Sequence, residues 1–512
     1  LETSENRDGR EGGAGVQVWS DLVGAFHQAV ESVDGRTLVR RWVEKHAEKV
    51  AEFLRDRDSI YLVALGKAAV SMAAGFLDTV ENSCSGGHKI RGIQGGIVAA
   101  PHYALGGRSK RDCGERGAEN VLERYGIEIT GCGHPMPDEE SFKCGKKVLD
   151  LAKRAGEGDG AVVLLSGGGS AVCALPVPPI SPSKKRGLVE KLWTSGATIG
   201  EINTVRRHVS LIKGGKLARA FFPAESLCLV LSDVPDNNPP DIASGPMSPD
   251  PTTCRDAVEV LERYGLAEKV GENVLGVLRR GRGETVKPDS PIWKNVEWHL
   301  VGDNSTAVRA AGDFLRKRRY HVEETSGVVG DAGGVTQRLI EQIRKRGGGT
   351  QKSSEKVAAG SVAVVWGGET TVRVPKNSGL GGRNQHMALV ALRELLFGSH
   401  ASGTHTTGVH DTGRPNKNAG FLFASTDGVD GNTDVAGVVL SSDFIWFCKH
   451  EVADGRLSAE KIDQYLAGFD SHRFFETMEK EWAQQESARR SVLIRTGPTM
   501  TNVCDLYIAA FR

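Results

Sequence analysis

A chain of 512 residues with 39% hydrophobic side chains is long enough for two or more separately cored domains, and 65 basic against 64 acidic residues exclude a charge-driven nucleic-acid or membrane-surface partner. No apolar run approaches the roughly 18 residues that span a bilayer, so no membrane partner is expected. Nine cysteines without a C-x-x-C pair read as reduced thiols of an intracellular protein, cytoplasmic first and mitochondrial second, rather than as a disulfide framework or structural zinc site.

In chain order, residues 1–16 are polar and glycine-rich and read as a disordered tail. Short apolar runs follow at 59–65, 95–100, 161–165 and 227–231, as buried parallel strands would give. Helical patterns such as KAAVSMAAGFLDTV lie between them. A second series runs through 296–302, 361–368, 420–425 and 491–497, with the helix-like STAVRAAGDFLRKRRY. Such alternation predicts α/β architecture in two domains. The charged, glycine-punctuated stretch 279–293 places the boundary near residue 290, giving domains at 17–290 and 291–512. Polar insertions at 346–360 and 398–419 read as mobile surface loops. His400, His405 and His410 in the second are read as solvated rather than as metal ligands.

Nearly every apolar run is followed by a polar glycine turn: GKAA after 65, SGGGSA after 165, SDVPDN after 231, GDNS after 301, GGET after 366, STDGVDG after 424 and TGPTMTN after 495. In an open parallel sheet these turns gather at the carboxyl edge, where ligands bind. Ser166, Gly167, Gly168, Gly169 and Ser170 could bring backbone N–H groups close to a phosphate or carboxylate, with the next helix's N-terminus adding positive potential. Lys67 follows a strand inside a glycine-alanine turn, a poor place for a merely solubilising lysine. No Walker A or G-x-G-x-x-G pattern is present, which disfavours a P-loop and a dinucleotide fold.

VALGKAA, GHPMPDEES, LLSGGGSA, GATIGEINTVRRHVSLIKGGKLA, LSDVPDNNPPDIASGP, GGETTVRV, GLGGRNQHMAL, STDGVDGNTDVAG and TGPTMTNVCDL occur in this order over residues 17–510. Together they closely resemble the class II glycerate kinases, also called the MOFRL family. The resemblance implies an α/β protein of two domains, the first with a Rossmann-like, mainly parallel sheet and the second of MOFRL type, with the active site in the cleft between them. It also implies ATP-dependent phosphorylation of D-glycerate to 2-phosphoglycerate, with Mg2+ as cofactor, by a monomer or homodimer. By the same resemblance Lys67 and Arg383 are the catalytic cations, Arg383 suiting a bidentate grip on carboxylate or phosphate. Asp427 and Asp430 hold Mg2+ or take the substrate's hydroxyl proton, and Asp233 competes for that role. An Asx-turn or N-cap is the structural alternative for each of these acids. The expected substrate and nucleotide site comprises Ser166 to Ser170, Asn203, Arg206, Lys213, Glu369, Asn384, Thr496, Thr499, Thr501 and Asn502.

Two departures from the family pattern bear on this site. Met500 stands where a glycine is usual, which strains the loop if the position has positive φ. Asp236, Asn237, Asn238 and two prolines replace the common glycine-aspartate core, loosening the Asp233 assignment. Two other readings are an NAD(P)H-dependent hydroxypyruvate reductase, disfavoured by the missing fingerprint, and a non-catalytic anion binder, disfavoured by the extra aspartates.

Overall fold

The computed structural model describes residues 14–83, 92–105, 112–347, 361–398, 419–485 and 490–512. The tail before residue 14 and nearly all of both polar insertions, including the three histidines, lie outside the described residues. Helix Ala14–Ser32 begins inside the span expected to be tail.

The chain divides into two compact units. One holds residues 32–303 and 500–503; the other holds 304–499 and 504–512 together with the N-terminal residues through 31. The division therefore falls after Asp303 rather than near 290, because the run at 296–302 completes the sheet of the first unit. Residues 17–31, expected in the first domain, belong to the other unit.

The first unit is built on strands β1 (Ile60–Leu65), β2 (Ile93–Pro101), β3 (Ile127–Cys132), β4 (Gly160–Leu165), β5 (Glu225–Leu231) and β6 (Val296–Gly302). Their order is β3-β2-β1-β4-β5-β6, and every neighbouring pair is parallel. A parallel sheet must be covered on both faces, and β4 is buried at all of its positions. β3, IEITGC, is less apolar and only partly buried, so its sequence gave a weaker signal. The chain winds outward in opposite directions from β1 and β4, which leaves a crevice at their carboxyl ends. Small residues let the helices close down: a Cβ on Gly75 of helix Ala69–Ser83 would stand 2.7 Å from the Arg36 carbonyl oxygen of helix Gly35–Lys45.

The second unit carries β7 (His321–Asp331), β8 (Val362–Thr371), β9 (Ala419–Ser425), β10 (Gly437–Ser441), β11 (Leu493–Ile494) and β12 (Asp505–Phe511). Their order is β11-β10-β9-β12-β8-β7. Only β7 and β8 pair parallel, so this sheet is mixed, unlike the open parallel sheet that the alternating pattern predicts. Because β12 lies antiparallel between β8 and β9, those two strands run the same way and their carboxyl ends still share one edge. The first residue of β12, Asp505, is registered there against Gly368 and Ser425.

Helix Ala14–Ser32 is fastened to the second unit through Asp21, which is fully buried. Its carboxylate accepts from Tyr320 Oη (2.9 Å), Arg318 Nη1 (2.9 Å) and Arg512 Nη1 (3.3 Å). Both ends of the unit thus meet on one side chain. Asp21→Ala strands a buried tyrosine hydroxyl and two guanidinium partners, and should lower stability by about 2 to 3 kcal/mol, read as a fall in urea midpoint at unchanged slope.

Candidate active site

At the carboxyl ends of β1 and β4 the two following turns are knitted together. Lys67 N donates to Gly167 O (2.8 Å), Ala68 N to Ser166 Oγ (3.1 Å) and Ser166 N to Leu65 O (2.9 Å). Gly66 has φ +123°, and a Cβ there would lie 2.4 Å from Ser166 O, so only glycine fits. The GKAA and SGGGSA turns therefore form one surface. A Cβ on Gly168, at φ +82°, would stand 3.0 Å from His134 Cδ2 and 3.4 Å from Lys67 Cγ, and one on Gly167 would stand 2.2 Å from Asp233 Oδ2. Bare glycine backbone thus admits Lys67, His134 and Asp233 to one place.

His134 went unassigned in the sequence although it sits in GHPMPDEES; a histidine beside two prolines reads as a turn. The helix after the glycine loop is a single turn, Gly169–Val172, too short for the dipole contribution expected of it.

Behind the loop, Ser170 Oγ meets Ser244 Oγ (3.0 Å), Ser244 Oγ donates to Asn203 Oδ1 (3.2 Å), and Asn203 Nδ2 donates to Asp241 Oδ1 (3.1 Å). Ala243 and Ser244 both have left-handed φ, +52° and +59°, a strain of order 1 kcal/mol or more each that the surrounding contacts must hold. Burial lowers the Arg206 guanidinium to about 10 and the Lys213 ammonium well below its usual value.

A cavity of about 480 Å³ lined by Arg36, Arg40 and Asp78 lies elsewhere, along the far half of helix Ala69–Ser83. It has no part in this surface.

In the second unit Arg383 opens helix Arg383–Phe397. Nε and Nη2 donate to Asp505 Oδ2 (2.5 Å) and Oδ1 (3.2 Å), and Nη1 donates to Glu369 Oε1 (2.6 Å). Burial alone would lower its pKa; the carboxylates of Asp505 and Glu369 override that and hold it firmly charged. The fork expected to grip a ligand is thus already engaged by Asp505. That residue was missed in the sequence, where CDL reads as the plain start of a strand.

Asp430 is 2% exposed. Its carboxylate accepts from Asn384 N (3.0 Å) and Nδ2 (3.1 Å) and from Gln385 N (2.8 Å) and Nε2 (3.0 Å). Burial raises this carboxyl to about 6 against the pull of those donors. The arrangement caps the helix N-terminus, so the structural alternative describes Asp430 and the metal-ligand expectation for it is withdrawn. A Cβ on Gly382 would lie 2.2 Å from Asp430 Cγ, which explains the second glycine of the GG pair in GLGGRNQ.

Asp427 is half-buried and its Oδ1 accepts from Ser425 Oγ (2.8 Å) and Val429 N (3.1 Å), an Asx-turn. Its loop packs on the TGPT segment: Thr499 N donates to Asp427 O (3.1 Å), Thr499 Oγ1 to Thr426 O (2.6 Å) and Thr496 Oγ1 to Gly497 O (2.7 Å). Met500 has φ +57°, as its replacement of a glycine implied. Thr501 is buried and donates to Val33 O (2.7 Å), an anchoring bond rather than an evident ligand contact.

Carboxyl-edge glycine loops with a lysine on a parallel sheet, and a carboxylate-held arginine on a mixed one, define an α/β enzyme acting on small anionic molecules. The model described as the MOFRL family matches residues 362–505, and that described as a domain of unknown function (DUF4147) matches 21–279. A glycerate 2-kinase of Pyrococcus horikoshii is 32% identical, covering 94% of each chain, and a D-glycerate 2-kinase of Thermotoga maritima is 34% identical over 88% of this chain and 90% of that one. The crystal structure of the Thermotoga maritima glycerate kinase superposes with a TM-score of 0.71 at 31% identity, covering 97% of this chain and all of that one. A putative hydroxypyruvate reductase of Agrobacterium vitis is 34% identical over 75% of this chain and 79% of its own length. The chain belongs to the MOFRL family of class II glycerate kinases.

Asp430→Asn places an amide donor against donors at the helix cap. It should lower stability by about 1 to 3 kcal/mol, seen as a reduced Tm in calorimetry.

Proposed function

We propose that this protein is an ATP-dependent kinase that transfers a phosphoryl group to the 2-hydroxyl of D-glycerate. The observation that carries the reading is the gathering of Lys67, His134 and Asp233 on the bare backbone of Gly66 and Gly167–Gly168, within a family whose relatives are named for this reaction. Phosphoryl transfer between anions requires cations for the equatorial oxygens and a carboxylate for the hydroxyl proton. Lys67 supplies the first. Asp233 or Asp427 takes the proton as the new O–P bond forms and the bond to ADP breaks.

Arg383 acts as a fixed positive charge aimed by Asp505 and Glu369 rather than as a free bidentate clamp. Ser166, Gly169, Ser170, Asn203 and Asn502 of one unit, and Thr496 and Thr499 of the other, are each proposed as ligand contacts, while Thr501 and Asn384 hold buried supporting positions in their respective units. Asp427, half-buried on a turn, and Asp233 have the donor chemistry for Mg2+, which takes few carboxylates and keeps several waters. When bound, the ion would neutralise phosphate charge.

One specific observation favours the reductase reading: the strand order of the first sheet is also that of dinucleotide-binding sheets. The turn after β1 reads GKAA, however, and lacks the glycines that admit a pyrophosphate. A coupled ADP-release assay on D-glycerate, with the product identified by NMR, separates the two. The expected product is 2-phosphoglycerate without oxidation of NAD(P)H, and activity should vanish in EDTA; NAD(P)H consumption without ADP release would overturn the kinase. Lys67→Ala and Arg383→Ala should each lower kcat by about 10² to 10³, equivalent to about 2.7 to 4 kcal/mol, with Lys67→Ala leaving Tm nearly unchanged.

A further inference from the structure

At one place in the first unit two buried lysines and the partly buried Arg206 collect with no carboxylate of the described residues paired to them. Lys185, in helix Pro182–Thr194, is 3% exposed, and its Nζ has no hydrogen-bond partner among the described residues. Lys213 is 1% exposed, and its Nζ donates to Ser170 O (2.7 Å) and Cys173 O (3.3 Å), which fixes it to the turn after the glycine loop. Arg206 Nη1 reaches Asn203 Oδ1 at 3.5 Å, and the Asn203–Ser244–Ser170 chain leads back to the same turn.

The charges acting on Lys185 are those of Arg206, Lys216 and the Cys173 thiol; those acting on Lys213 are Lys185, Arg206 and the same thiol. No carboxylate is among them. Neighbouring buried cations are served differently. Arg207 is paired with Asp241 (3.2 Å) and Asp250 (3.1 Å), and Lys216 Nζ donates to the carbonyls of Arg207, Ser210 and Gly283.

A buried ammonium with neither acceptor nor counter-charge has lost its water and gained nothing in return. Desolvation accordingly lowers Lys185 to about 7. A fold that keeps such a group within the electrostatic reach of Lys213, itself bonded to the glycine loop, is suited to an anion that brings both acceptors and charge.

We propose that Lys185, flanked by Arg206 and Lys213, forms an oxyanion pocket behind the 166–170 loop, and that Lys185 Nζ binds a carboxylate or phosphate oxygen of a substrate directly. The identity of that oxyanion, the glycerate carboxylate or a phosphate of ATP, rests on the function proposed above; the pocket itself does not.

The test is thermal unfolding of the full-length wild-type and Lys185→Met chains, alone and with sodium phosphate, D-glycerate or ADP, followed by steady-state kinetics. Without ligand, Lys185→Met should melt at or above the wild-type temperature, because an apolar side chain replaces an unpaired charge. A ligand-induced rise present in wild type and lost in Lys185→Met supports the pocket; loss confined to D-glycerate assigns the carboxylate, and loss with phosphate and ADP assigns the phosphate. The KM of the same substrate should rise about tenfold to hundredfold with kcat little changed, and Lys185→Arg should restore part of it.

Equal ligand shifts in wild type and variant, or no shift in wild type with any of the three, would overturn the proposal. Should Lys185→Met fail to fold, Lys185→Arg and Lys185→Gln are compared by the same criteria. The two readings fail separately. Shifts that depend on Lys185 without turnover of glycerate leave the pocket and remove the kinase, whereas turnover with unchanged KM in Lys185→Met leaves the kinase and removes the pocket.

Discussion

The pairing of Arg383 with Asp505 organises the second unit. Asp505 is fully buried at the start of the strand that holds β8 and β9 apart, and a buried carboxylate there requires a cation within reach. Arg383 supplies it from the first turn of a helix, where a positive charge is itself disfavoured by the dipole. Glu369 on the guanidinium and Asp430 on the helix cap offset that penalty. Sheet edge, helix start and aspartate loop are thereby fixed by one ion group; among the described residues, removing Arg383 leaves the buried Asp505 with only the Tyr507 hydroxyl against it, and removing Asp505 leaves Arg383 held by Glu369 alone.

Seen this way, the two loop clusters have opposite charge characters. Around Arg383 the acids outnumber the bases, with Glu369, Asp427, Asp430 and Asp505 close by in one unit. Around the 166–170 loop the bases outnumber the acids. Near-neutral composition hides both imbalances, because each is local and is diluted by the balanced charges of the unit around it.

Most of the architecture was legible because buried parallel strands are short apolar runs and their turns are glycine-rich. β1, β4 and β5 stand within two residues of the runs that announced them. β12 escaped because nothing in DLYIAAF says that it enters antiparallel between two earlier strands, and that insertion is what makes the second sheet mixed. The positions of Lys67 on the turn after β1 and of Arg383 at a helix start were legible from their motifs, and their roles belong to the function proposed above. Asp505 and Lys185 were not: the value of each comes from burial opposite or among distant residues, which no local spacing encodes. Asp430 shows the converse, a motif aspartate whose surroundings make it a cap.

The clamp on Asp21 has a consequence for the order in which the chain can mature on the ribosome. One unit is almost wholly contained between residues 32 and 303, while the other needs both the first helix and the last arginine of the chain. The enclosed unit can collapse early, apart from the segment 500–503. The outer one must hold an amphipathic helix unpartnered until Arg318 and Tyr320 emerge about three hundred residues later, and with its clamp incomplete until Arg512 follows; at about 5 to 20 residues per second the first wait alone is on the order of a quarter of a minute to a minute. Sequence separation of this kind slows folding through loop-closure entropy, so the helix Ala14–Ser32 is the natural client for a holding chaperone during synthesis.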